Sequence, residues 1–166
     1  LTRIQKDIDD GRFFNNNALN NAIDKAVSRD HAVHIIGLLS DGGVHSHIIH
    51  IKAALKLAAE RNARTILHIF ADGRDTAPQS ALKYIDEIEK EIETLNADIH
   101  IGSVTGRFYA LDRDNRWERT EKAYSVVCCG KGEFKAKSAK EAVELAYERG
   151  ETDEFIEPTA ILNSKG

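Results

Sequence analysis

Arg107, Arg113, Arg116 and Arg119 fall within one short stretch of an otherwise acidic chain, interleaved with Asp112, Asp114 and Glu118. A guanidinium offers a planar fork that grips a phosphate or carboxylate through two bonds. Because the acidic neighbours keep the local charge near zero, this is selective placement and not a basic patch. Arg107 follows Thr105-Gly106 directly and is assigned as a ligand. Arg116 and Arg119 are assigned to packing or salt bridges, with Asn115 to Glu118 as a capping box and Trp117 as a helix anchor. Upstream, Arg74 stands beside Asp75, a pair that suits a substrate both anionic and hydroxylated, since a carboxylate can exchange a proton with a hydroxyl. The competing structural reading has Asp72 making a turn, Asp75 or Thr76 capping a helix near Pro78, and Arg74 solvated. Further upstream, Asp41-Gly42-Gly43 allows a tight turn, and Ser46 or His47 can open a helix whose free N–H groups suit an anion. His45, His47 and His50 raise a metal site as the alternative, with Asp72 as a further ligand of a metal-dependent hydrolase. Together the stretches offer one His, one Asp and at least three Arg, which fits a small substrate with two anionic groups. Neither G-x-x-x-x-G-K-[ST] nor G-x-G-x-x-G occurs, so a nucleoside triphosphate or dinucleotide is not expected.

Each stretch follows a short apolar, β-branched run: Val33 to Leu39, Thr65 to Phe70 and Ile99 to Val104. Amphipathic segments follow over about Ser46 to Arg61, Pro78 to Leu95 and Glu118 to Cys128. In the second, Leu82, Ile85, Ile88, Ile92 and Leu95 keep the spacing of a helix buried against a sheet. Strand, loop and helix in alternation predict an α/β fold, a three-layer parallel sheet with its ligand loops at the carboxyl ends of the strands. Before these units, Thr2 and Gln5 form a capping box for a short helix stopped at Gly11, and the Asn15 to Asn17 run caps a second. After them, Ser138 to Glu141 caps a helix ending at Gly150. The tail through Phe155, Ile156 and Pro158 is expected to be a linker or the approach to a strand lying outside this chain.

The whole sequence has 166 residues, 42% hydrophobic and 30% charged, with a formal charge of -4. That length suits one domain, and the balance supports a folded core and not disorder. No global positive field draws the chain to nucleic acid, and no apolar run approaches the roughly 20 residues that cross a membrane. Adjacent Cys128 and Cys129 suit neither a disulfide nor zinc and fit a reducing, cytoplasmic setting as small apolar helix residues. The chain lacks methionine even at position 1 and stops at a turn-like Asn163-Ser164-Lys165-Gly166, as a piece of a longer polypeptide would.

The three loops, in order, closely resemble the cofactor-independent phosphoglycerate mutase family. The match is carried by Leu39-Ser40-Asp41-Gly42-Gly43-Val44-His45-Ser46-His47, by Asp72-Gly73-Arg74-Asp75, and by Gly106-Arg107-Phe108-Tyr109-Ala110-Leu111-Asp112-Arg113-Asp114-Asn115-Arg116-Trp117-Glu118-Arg119. The resemblance implies a soluble glycolytic isomerase of two domains. One is phosphatase-like, with two manganese ions (Mn2+) and a serine nucleophile; the other is an inserted transferase domain that holds the glycerate. Residues 1–166 then correspond to the transferase domain without its C-terminal part, which should carry a further pair of substrate arginines. The implied substrate-binding positions are His45, Arg74, Asp75, Arg107 and Arg113, with Asp75 the acid/base at the glycerate hydroxyls and no metal ligand in this chain. The implied partners are 3-phosphoglycerate, 2-phosphoglycerate and the phosphatase-like domain, not nucleic acid or a membrane. A non-catalytic module that binds a phosphorylated acid is the other alternative.

Overall fold

A computed structural model describes residues 1–162; the Asn163 to Gly166 turn lies outside the described residues. Helices α1 (Thr2–Asp9) and α2 (Asn17–Val27) precede three strand and helix units. These are β1 (Val33–Leu38) with α3 (Ile48–Glu60), β2 (Thr65–Ala71) with α4 (Ala81–Leu95), and β3 (Ile99–Gly106) with the short α5 (Arg107–Ala110) and α6 (Trp117–Cys129). Then come β4 (Phe134–Ala136), α7 (Ala139–Glu148), a 3-10 turn at Asp153–Phe155 and β5 (Thr159–Ile161). The sheet order is β1-β2-β3-β5-β4. The α/β expectation holds, with a mostly parallel sheet flanked by helices.

Two strands are not foreseen by the sequence pattern. The tail through Pro158 is the approach to a strand and not a linker, but that strand, β5, lies within this chain; it pairs antiparallel with β3 at Ser103↔Ala160 and Val104↔Thr159 and parallel with β4. Three-residue strands carry too little periodicity to be seen. The insertion matters for position. An antiparallel strand begins where its parallel neighbours end, so Asp153 to Glu157 is delivered to the carboxyl edge of β3, where the Gly106 N–H donates to the Ile156 carbonyl at 2.7 Å.

One face of the sheet, with Leu67, Ile69, Ala71 and Val104, is sealed by Leu55 of α3, Ile85 and Ile88 of α4, and Val143 and Ala146 of α7. Such a side chain, fully buried, contributes about 1.5–3 kcal/mol before entropy is counted. The opposite face carries a polar chain in which His34 Nδ1 meets His68 Nε2 at 2.9 Å and His68 Nδ1 meets Ser103 Oγ at 2.8 Å. Burial, then the neighbouring His34, pushes the His68 pKa down to about 4.

The helix starts show which local rules hold. Asn16 accepts from the Ala18 and Leu19 N–H groups, and Ser138 accepts from Glu141 N, both as expected. Thr2 makes no such bond, because α1 already begins there with Leu1 as N-cap. Neither Asp75 nor Thr76 caps α4. It starts at Ala81, and the Ser80 and Ala81 N–H groups donate to Asp153 Oδ2 at 2.8 and 2.9 Å. Asn115 adopts φ +58 instead of capping α6; Asp112 Oδ2 accepts from Arg116 N at 2.8 Å. Trp117 is 71% exposed and is not a buried anchor, while Cys128 and Cys129 lie on α6 as expected, with their thiols exposed.

Candidate functional site

The carboxyl ends of β1, β2 and β3 open on one side of the sheet. A cavity of about 590 Å³ lies there, and His45, Arg74, Asp75, Arg107 and Arg113 all line it. Its remaining wall comes from Phe108, Leu111, Asp112, Asp114 and Arg119, and from Glu154 and Phe155 of the turn before β5. The cavity thus joins residues from three sequence-distant loops with a fourth segment that no loop motif announces.

Its floor is ionic. Arg107, only 8% exposed, donates through one nitrogen, Nη1, to Asp72 Oδ1 and to Asp75 Oδ2, each at 2.7 Å. Asp72 is buried at 2% exposure; the Ser40 hydroxyl donates to its Oδ2 at 2.6 Å, and the Arg74 and Asp75 N–H groups donate to its Oδ1 at 3.2 and 3.0 Å. Burial would raise the Asp72 pKa; the Ser40 hydroxyl, the two N–H groups and Arg107 together outweigh it and hold the carboxyl below its ordinary value. Burial would likewise lower the pKa of Arg107, but Asp75 and Asp72 raise it above its usual value. A buried charge without such partners would be far costlier.

The rim carries more exposed charges. His45 Nε2 lies 3.9 Å from Asp75 Oδ2. Arg74 is over half exposed, with Glu154 Oε1 3.8 Å from its Nη1. Arg113 is exposed and, among the described residues, its guanidinium lies in no ion pair. Arg119 is instead committed to structure, 3.9 Å over the Phe108 ring and 3.2 Å from Asp112, as assigned. Arg116 is exposed and bonded through its backbone, and among the described residues its guanidinium makes no hydrogen bond or ion pair.

The fourth segment fits because two loop residues have no side chain. A Cβ on Gly106 would lie 2.4 Å from the Glu154 carbonyl oxygen, and one on Gly73, at φ +65, would lie 2.7 Å from Asp153 Cβ. Tyr109 donates to Glu157 at 2.6 Å and Lys122 lies 3.1 Å from the same carboxylate, tying α5 and α6 to this segment. Only the Gly-rich character of the loops hints at so close an approach. Nothing local points to Glu154 or Phe155.

Two of the donors named for a metal are already committed to the fold. Asp72 has both oxygens engaged, and His47 Nδ1 accepts the Ile49 N–H as the cap of α3. Among the described residues no three His, Cys, Asp or Glu side chains converge to hold an ion. No helix among them is long and apolar enough to cross a membrane.

The family model described as BPG-independent PGAM N-terminus matches residues 4–166. The chain is 67% identical over 166 residues to the 2,3-bisphosphoglycerate-independent phosphoglycerate mutase of Hydrogenovibrio crunogenus, covering all of this chain and 32% of that protein. It is 54% identical over 162 residues to the enzyme of the same description from Ectopseudomonas mendocina, covering 97% of this chain and 32% of that protein. A solved structure of Leishmania mexicana phosphoglycerate mutase, at low cobalt concentration, superposes with a TM-score of 0.89 at 28% identity, covering 98% of this chain and 31% of that one. The chain therefore spans about a third of the length of the relatives it matches.

Proposed function

We propose, from the premise that this chain belongs to the BPG-independent phosphoglycerate mutase family, that it forms most of the transferase domain of an enzyme interconverting 3-phosphoglycerate and 2-phosphoglycerate. The observation that carries this reading is the convergence of His45, Arg74, Asp75, Arg107 and Arg113 on one cavity, with cationic groups at the rim and a carboxylate on the floor.

On this reading Arg113, Arg74 and His45 hold the anionic ends of the substrate. Arg107, fixed from behind, orients Asp75 and faces the glycerate. Asp75 takes a proton from, or returns one to, the hydroxyl that gains or loses phosphate. The phosphate passes to a serine of the phosphatase-like domain and comes back to the neighbouring hydroxyl after the glycerate has turned. Phosphoryl transfer depends chiefly on positioning and electrostatic stabilisation, so one domain can clamp while another reacts. Two manganese ions belong to that other domain. The residues of this chain do not fit them, and none of the steps assigned to this chain passes through a metal. The C-terminal remainder of the transferase domain supplies a further arginine pair, and the enzyme works in the cytoplasm.

The test is direct. The full-length protein with manganese, followed by phosphorus NMR, should interconvert the two phosphoglycerates, and residues 1–166 alone should not. Turnover by the purified fragment, or none by the full-length protein, overturns this division of roles.

A further inference from the structure

Arg107 is held on two sides by carboxylates with different surroundings. Asp75 faces the cavity, with His45 Nε2 3.9 Å from its Oδ2 and Arg107 2.7 Å from the same oxygen. Asp72 is shut away from the cavity behind Arg107 and braced by Ser40, itself 1% exposed. One guanidinium nitrogen bridges both, which leaves the other N–H groups of Arg107 for a substrate. We propose that Asp72, braced by the Ser40 hydroxyl, is a positioning residue of the isomerase: it holds Arg107 in the orientation in which one nitrogen reaches Asp75 while the rest of the fork faces the glycerate. Neither Asp72 nor Ser40 is among the substrate-binding positions implied by family resemblance. The inference rests on the function proposed above.

A simple anchor and a positioning residue differ in what their loss does. Asp72→Asn retains a carbonyl oxygen that can accept the Arg74 and Asp75 N–H groups, so the turn survives. It removes one negative charge close to where an anionic substrate binds, so ground-state attraction does not weaken. Arg107 then meets only a neutral acceptor on that side, so Asp75 alone supplies the charge that orients it, and the reacting geometry is loosened. Misplacing reacting groups by a fraction of their contact distance, or removing an outer partner, costs roughly ten- to hundredfold. The loss therefore falls on kcat, with KM unchanged or lower. Ser40→Ala leaves every charge in place and removes the brace, together with the acceptor of the Gly42 N–H at 3.3 Å, so it lowers kcat in the same direction by a smaller factor.

The experiment uses the full-length protein. Wild type, Asp72→Asn, Ser40→Ala, Asp75→Asn and the Asp72→Asn/Asp75→Asn pair are compared for kcat, KM and thermal midpoint. Since Asp72 acts on Asp75 through Arg107, the double variant should lose less than the product of the two single losses. A wild-type kcat in Asp72→Asn, a loss confined to KM, or a fully multiplicative double variant overturns the inference. If Asp72→Asn does not fold, Ser40→Ala decides: a kcat equal to wild type counts against it, a selective fall in kcat supports it. A wild-type protein inactive on phosphoglycerates would sink the proposed function, which is a separate outcome from an active wild type indifferent to Asp72.

Discussion

At the residue scale, the same loop holds groups that sequence treats alike and the fold treats differently. Arg107 and Arg113 sit six positions apart, yet one is buried between two carboxylates and the other is exposed on the rim. Arg113→Ala in the full-length enzyme should weaken substrate binding roughly ten- to hundredfold, the value of a charge-assisted bond, without moving the thermal midpoint. Arg107→Ala should do more, because it strands two buried or half-buried carboxylates. Breaking such a pair costs about 3 kcal/mol, so a lower urea midpoint should accompany the loss of activity. Equal midpoints for the two variants would show that Arg107 is not a structural ion. Asp75→Asn separates acid–base work from capping. Since α4 is capped by Asp153, Asp75 is free of that duty, and its amide variant should keep substrate affinity while isomerisation falls about 10²- to 10⁴-fold. Near-normal turnover would leave only the arginines as functional groups.

At the element scale, the entry of β5 into the sheet explains features that no loop explains alone. It carries Asp153 under α4, where one carboxylate accepts two N–H groups at the helix N-terminus and the Tyr147 hydroxyl. A helix N-terminus favours such a charge through its unpaired donors and its dipole. Asp153→Ala should cost on the order of 2 kcal/mol in urea unfolding, as a lost cap does, and it should do so although the residue lies far from α4 in sequence. An unchanged midpoint would mean that Ser80, whose hydroxyl now serves the Ala77 carbonyl, takes over the cap. The segment's next two residues, Glu154 and Phe155, complete the cavity wall, so the element that caps a helix also shapes the site.

At the scale of the whole molecule, acid stability joins groups from both faces of the sheet. His68 is held neutral in the fold down to about pH 4, whereas an unfolded chain protonates it near its ordinary 6.5. Between these values the unfolded state binds the extra proton. Stability contributed by neutral His68 is therefore complete above about 6.5 and is lost as pH falls to about 4, with a slope of at most about 1.4 kcal/mol per pH unit. Asp72, held below its ordinary value, adds a loss that begins lower, as pH falls through the aspartate range and then through its depressed pKa. Asp153, raised by burial despite its donors, pulls the other way. His68→Gln isolates the first contribution: its unfolding free energy should fall less steeply than wild type between pH 6.5 and 4. Parallel curves would place the acid response elsewhere.

The three parallel units and their loops are legible in the sequence, because strand runs, helical stripes and the residues after them are short-range patterns. The convergence of the loops also follows, since parallel strands that share a sheet end on the same edge. What sequence does not disclose depends on partners far along the chain: β4 and β5 are too short to show a period, the cap of α4 is donated from 72 positions away, and Asp72 looks like any turn aspartate until Ser40 and Arg107 fold against it. Local physics places the candidate site residues on one rim, while burial and long-range pairing choose which charges face the cavity and which are held behind it.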